Sequence, residues 1–264
     1  MLNPDAIQRL WLGADVSTLR AAGRLIDEVH DYVGVVKVGL QLMHRVGTPH
    51  LLKSLRKRPG IKLSVFADAK VEDIPRTVGE AVRAIADQGV DFLNMQSWAG
   101  PKAIEEAVKH KGSSKLLLVT VLSSLTPDNL YYMFVQRYPG AKPFESLTPE
   151  DRVKYLQDVT LDLAIMSAEY GGDGVICSGQ ELRVLAQDSG LNGFERYATG
   201  IRPEWAPEDD HSRTMTPAEA IREGATGVIL SRPIRNPPKK IGKPREAARR
   251  VVVEIDSALP RPTS

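Results

Sequence analysis

The stretch Ile61-Lys62-Leu63-Ser64-Val65-Phe66-Ala67, continuing as Asp68-Ala69-Lys70-Val71-Glu72-Asp73-Ile74-Pro75, carries most of the structural information in the chain. The apolar run Ile61 to Ala67 predicts a buried strand, and a helical pattern from Arg76 to Gln88 follows it. In a β/α unit, ligands bind at the carboxyl end of the strand. Two carboxylates and an ammonium are therefore delivered to one mouth. Strand alternation puts Asp68 and Lys70 on the same face, while Asp73 sits on the turn beyond, free to bend back or to reach a neighbouring subunit. A D-x-K-x-x-D set can be a solvated ion-pair cluster on a loop. Two arguments favour a site. The preceding strand reads as buried, where charges are costly to desolvate unless paired. A lysine between two carboxylates also stays charged, poised to give up a proton where negative charge develops.

The same alternation of short apolar runs and longer helical patterns extends along the whole chain. The runs are Arg9 to Ala14, Gly34 to Val38, Ile61 to Ala67, Asp91 to Met95, Lys115 to Val121, Asp173 to Cys177, Gly193 to Ala198 and Thr226 to Leu230. Helical patterns lie between them, among them Ser17 to Asp31, Leu40 to Arg56, Pro149 to Tyr170 and Arg245 to Ala258. Eight strand–helix repeats predict an α/β fold, a single (β/α)8 TIM barrel. Two segments exceed an ordinary strand–helix connection, Ser123 to Thr148 and Ile201 to Met215, and loops of that length are often lids or binding loops.

The chain has 264 residues, close to the roughly 250 of one such barrel, so residues 1–264 are expected to form one domain. With 35 basic and 33 acidic residues the net charge is +2, which gives no nucleic-acid footprint and still allows a local anion pocket. A small-molecule partner is expected. The single cysteine, Cys177, excludes an internal disulfide and fits a reducing, cytoplasmic setting. The longest apolar stretch, Leu116 to Leu122, is far short of the ~20 residues of a membrane span, and Met1-Leu2-Asn3-Pro4-Asp5 lacks the pattern of a signal peptide.

In a barrel, function is read from the carboxyl ends of the strands. The first run ends at Asp15. The second carries Lys37 between apolar neighbours; such a lysine can snorkel to water or, in a barrel without edges, join the charges of the mouth. Asp15, Lys37, Asp68, Lys70 and Asp73 then make an alternating array. The fourth run ends Asn94-Met95-Gln96-Ser97 and the fifth is followed by Ser123-Ser124. These groups suit hydrogen bonds to a polar heterocycle or sugar, although Ser124 reads equally well as a helix cap. Ser178, after the sixth run, reads best as a cap. After the seventh and eighth come Thr199-Gly200-Ile201-Arg202-Pro203 and Ser231-Arg232-Pro233, a phosphate site by position, where an arginine adds a bidentate grip.

These residues resemble the orotidine 5'-monophosphate decarboxylase family over most of the chain. The stretches that carry the likeness include Gly13-Ala14-Asp15-Val16, Val36-Lys37-Val38-Gly39-Leu40, Asp68 to Val78, Thr120 to Ser124, Gly174 to Ser178, Gly200 to Pro203, Met215-Thr216-Pro217 and Arg232-Pro233-Ile234. The resemblance implies a homodimer acting on a nucleotide, with no metal and no organic cofactor. It implies that Lys37, Asp68 and Lys70 form the charged array of one subunit, while Asp73 and Thr77 reach into the other. Lys70 would protonate the product carbon, Asp15 and Lys37 would hold ribose hydroxyls, Ser124 would read the pyrimidine, and Arg232 would clamp the phosphate. Arg202, His211 and Ser231 belong to the same phosphate end.

Related sugar-phosphate lyases share D-x-K-x-x-D and look like Mg²⁺ enzymes, with an acidic residue where this chain has Lys37. An ammonium there repels a cation. A metal-dependent lyase and a non-catalytic nucleotide-binding barrel are the competing expectations. The chain departs from the family pattern at Gln96, Thr199, His211 and Ser231, where histidine, proline, glutamine and glycine are usual. The aromatic segment Tyr131 to Phe144 looks like an insertion.

Overall fold

The computed structural model describes residues 2–56, 63–135, 142–207 and 215–260. Eight parallel strands close in sequence order into one barrel: β1 (Leu10–Gly13), β2 (Val35–Gly39), β3 (Ser64–Val71), β4 (Phe92–Gln96), β5 (Lys115–Val119), β6 (Gly174–Ser178), β7 (Glu195–Thr199) and β8 (Gly227–Leu230), which pairs back onto β1. Each predicted run overlaps one strand, with β3 extending to Val71, four residues past its predicted end, so the (β/α)8 expectation is met. Around them lie α1 (Pro4–Arg9), α2 (Leu19–Val29), α3 (Leu40–Val46), α4 (Thr48–Arg56), α5 (Pro75–Ala86), α6 (Pro101–His110), α7 (Pro127–Phe134), α8 (Pro149–Glu169), α9 (Leu182–Gln187), α10 (Pro217–Arg222), α11 (Arg232–Arg235) and α12 (Pro244–Ala258). Among the described residues, no helix is long and apolar enough to cross a membrane.

Several helix starts follow from local chemistry. Thr18 accepts from the Ala21 amide, Thr148 from Asp151 and Thr216 from Glu219, each satisfying an amide that the first turn leaves without a helical partner. Three expectations need correction. The predicted helix Leu40 to Arg56 is two helices, because Gly47 takes a positive φ of 79° that ends α3 and Pro49 restarts the chain in α4. The segment Ser123 to Thr148 contains α7, whose Leu130 packs with Val121, Leu156 and Leu163. Its Tyr138 lies outside the described residues. Ser178 makes no capping bond to the turn after it.

The strands are buried on both faces, as parallel sheets wrapped by helices are. Outward residues such as Leu12, Val36, Ala67, Leu93, Leu118 and Val228 pack under the helices. Inward ones, Trp11, Val35, Phe66, Leu117, Val119, Ile176, Tyr197 and Ile229, fill the barrel. Trp11 is the centre of this plug, with ring centroids 4.1 Å from Tyr197 and 4.5 Å from Phe92. The plug fills the interior below the mouth at the carboxyl ends.

Candidate active site

The mouth holds a cavity of about 300 Å³, at the lower end of the ~300–1,000 Å³ usual for small-ligand sites. Its apolar floor is made by Phe66, Val119, Ile176 and Ile229. Its walls come from Asp15, Lys37, Asp68 and Lys70 on one side, Ser123 and Ser124 beyond β5, Thr199 to Arg202 after β7, and Ser231 and Arg232 after β8.

The charged side is one continuous network. Lys37 Nζ donates to Asp15 Oδ1 at 3.1 Å and to Asp68 Oδ2 at 2.8 Å. The other oxygen of Asp68 accepts from Lys70 Nζ at 2.5 Å and from Asn94 Nδ2 at 2.7 Å. Asp68 is only 5 % exposed. Burial works to raise its pKa, but the charges and hydrogen bonds of Lys37 and Lys70 outweigh burial and hold the carboxyl at about 2. For Lys37 burial again opposes the charged form, and Asp68 and Asp15 overcome it, leaving the pKa above the ordinary 10.5. Asp68 and Lys37 are therefore both charged at neutral pH.

Backbone geometry brings these groups together. Lys37 sits opposite Phe66, and Gly39 opposite Asp68. A Cβ on Gly39 would lie 3.0 Å from Asp15 Oδ1 and 3.3 Å from Lys37 Nζ, so glycine leaves the space in which the two meet. Simple alternation does not account for Lys70. The β3–β4 register shifts between Ala67 and Val71, and Lys70 has φ 48°, the one positive value at a non-glycine among the described residues. The expectation that both side chains share the site holds, through a bulge rather than through regular pleating.

Of the other predicted residues, Asp15, Ser124, Arg202, Ser231 and Arg232 line the cavity. Asp73 and Thr77 are exposed and do not line the cavity of their own chain; the Asp73 carboxylate accepts from the Ile74 amide at 2.7 Å. His211 lies outside the described residues. Thr199 lines the cavity and donates to the Cys177 carbonyl. Gln96 is buried away from the cavity, its Oε1 without a hydrogen-bond partner.

Two residues gain roles that the sequence reading did not give them. Asn94 was expected to meet a heterocycle or sugar, and it instead turns inward under Asp68 and the Lys70 backbone. Its place as the polar member of an inward-facing set with Phe92 was the available signal. Arg235 donates from Nη1 to the Asp15 carbonyl, joining α11, the helix after β8, to the start of the array.

Residues 8–251 match the sequence model of the orotidine 5'-phosphate decarboxylase / HUMPS family. The chain is 33% identical to orotidine 5'-phosphate decarboxylase of Moorella thermoacetica, covering 97% of this chain and 95% of that one. It is 35% identical to the enzyme of the same name from Caulobacter vibrioides, covering 94% and 97%. Among solved structures, orotidine 5'-phosphate decarboxylase from Lactobacillus acidophilus superposes with a TM-score of 0.72 at 25% identity, covering 94% of this chain and 99% of that one. A charged barrel mouth of this kind and likeness along nearly the whole chain lead to one conclusion: the chain belongs to the orotidine 5'-phosphate decarboxylase / HUMPS family.

Proposed function

We propose that this barrel, as one domain over residues 1–264, decarboxylates orotidine 5'-monophosphate to uridine 5'-monophosphate and CO₂, the last step of de novo pyrimidine biosynthesis, with Lys70 as proton donor. The observation that carries the reading is the ammonium–carboxylate network Asp15–Lys37–Asp68–Lys70 at the cavity wall. When the bond from C6 to the carboxylate breaks, its electron pair stays on C6 in the ring plane, where no adjacent carbonyl absorbs it as an enolate. Stabilisation then falls to a positive charge already in place, and enzymes remove about 8–23 kcal/mol from such barriers. Lys70 faces the developing charge and transfers a proton from Nζ to C6, releasing uridine 5'-monophosphate. Asp68 stands against the departing carboxylate.

The rest of the cavity supports the remaining parts of the nucleotide. Asp15 and Lys37 hold ribose hydroxyls, Ser124 reads the pyrimidine, and Arg232, with Arg202 and Ser231 at the same end, takes the phosphate, a role in which the resemblance to the family also includes His211. Binding energy from the phosphate, remote from the reacting bond, serves to close the site. Asp73 and Thr77, exposed in their own chain, complete the mouth of a second copy in a homodimer. The free, buried thiol of Cys177 suits the cytoplasm.

Turnover of orotidine 5'-monophosphate in excess EDTA tests the reading, followed by loss of substrate absorbance and CO₂ release. Activity is expected. Uridine 5'-monophosphate binding without turnover would indicate a binding protein, and Mg²⁺-dependent activity on a keto-sugar phosphate would indicate the lyase chemistry; either overturns the proposal.

A further inference from the structure

The bulge that presents Lys70 has a specific support. Five residues of β3, from Ala67 to Val71, run beside three of β4, from Leu93 to Met95. The ladder is interrupted there, and the Lys70 amide donates instead to the side-chain Oδ1 of Asn94 at 2.7 Å. The Nδ2 of the same amide group donates to Asp68 Oδ1, also at 2.7 Å. Asn94 is fully buried and does not line the cavity, so it has no route to substrate.

We infer that Asn94 is a positioning residue for Lys70: its amide holds the lysine backbone in the left-handed conformation and fixes the carboxylate that orients the ammonium. The inference rests on the decarboxylase reading for its kinetic consequence, though not for its structural one. A side chain with a Cβ pays roughly 1–2 kcal/mol in that conformation, and such strain persists only where the surroundings over-determine it. Asparagine alone among side chains of its size offers both an acceptor and a donor from one rigid plane without adding charge. Aspartate would repel Asp68, and an aliphatic residue would leave the Lys70 amide and one Asp68 lone pair unmatched in a buried place. The titratable and charged groups facing Asn94 are Asp68 and Lys70 from β3, with Lys37 and then Asp15 beyond Asp68. From β5 the residue in register is Leu117, which is apolar.

Two variants test this. Asn94→Ala is expected to lower kcat by ~10²-fold, the scale of a displaced catalytic group, with the Kd for uridine 5'-monophosphate within about threefold of the parent. Asn94→Asp introduces a carboxyl that must hold a proton to donate to Asp68, and two carboxylates in one site raise one pKa strongly. Its kcat relative to that of the parent at the same pH is therefore expected to be highest at acidic pH and to fall ~10-fold or more between pH 5.5 and 8.5. A purely structural role would lower stability and leave the pH profile unmoved. Near-parental kcat in Asn94→Ala, equal losses in kcat and nucleotide affinity, or a profile parallel to the parent's in a folded Asn94→Asp would each overturn the inference. Should the parent itself fail to turn over the substrate, the functional reading fails separately. A crystal structure of Asn94→Ala then decides the inference: Lys70 relaxed to negative φ supports it, and Lys70 unchanged against Asp68 overturns it.

Discussion

Lys37 and Asp68 meet across a diagonal. Lys37 pairs in register with Phe66, and Asp68 with Gly39, yet the ammonium and carboxylate stand 2.8 Å apart because the position between them on β2 has no side chain. The missing side chain is as much a part of the array as the charges. Gly39→Ala places a methyl 3.0 Å from Asp15 Oδ1 and 3.3 Å from Lys37 Nζ. Overpacking of this kind costs about 1–3 kcal/mol. The expected result is a ~10-fold or greater loss of kcat/KM, read by steady-state kinetics, with unchanged far-UV circular dichroism. A parental rate would show that the crowding is relieved elsewhere.

Lys70→Ala removes both the preorganised charge and the proton. Losing one such electrostatic donor costs ~10²–10³-fold in kcat, and loss of a positioned acid ~10²–10⁴-fold. Turnover is expected to fall by at least ~10³-fold, with uridine 5'-monophosphate binding retained by calorimetry. A rate within tenfold of the parent would remove Lys70 from the chemistry.

Asp68 links the site to stability. Its folded-state pKa of about 2 lies below the ordinary 3.8, so its charged form is favoured by folding. That contribution is fully present above the unfolded value and is lost as pH falls through the folded one, amounting to about 2 kcal/mol. In urea unfolding, the stability difference between the parent and Asp68→Asn should narrow by about this amount from pH 5 to pH 2. Lys37 acts in the opposite sense: its raised pKa stabilises at pH below 10.5, and that contribution is lost only as pH rises above it. A gap that stays constant from pH 5 to pH 2 would refute the coupling.

The exposed position of Asp73 gives a complementation test of the homodimer. If Asp73 serves the partner's mouth, a mixed dimer of Lys70→Ala and Asp73→Ala chains contains one intact site and one doubly impaired site. Equal mixing after reversible dissociation should restore about a quarter of parental activity, from random assortment of a symmetric dimer. Recovery no greater than the mean of the two variants alone would place Asp73 outside the partner's site.

Much of this protein was legible from local pattern. Strand period, the order of eight runs and the grouping of Asp15, Lys37, Asp68 and Lys70 all depend on local patterns in the sequence, whose periodicity reports which face is buried. The features that the pattern missed depend on partners far along the chain. The break at Gly47 had a signal in Gly47-Thr48-Pro49, which a continuous helical period obscured, and α7 was hidden in a segment read only by its length. Asn94 could not be assigned without closure of the barrel, because its two partners lie 24 and 26 residues away on a neighbouring strand. The left-handed turn at Lys70 is likewise a product of packing: no local preference favours it, and it exists because β4 supplies the hydrogen bond that the interrupted ladder cannot.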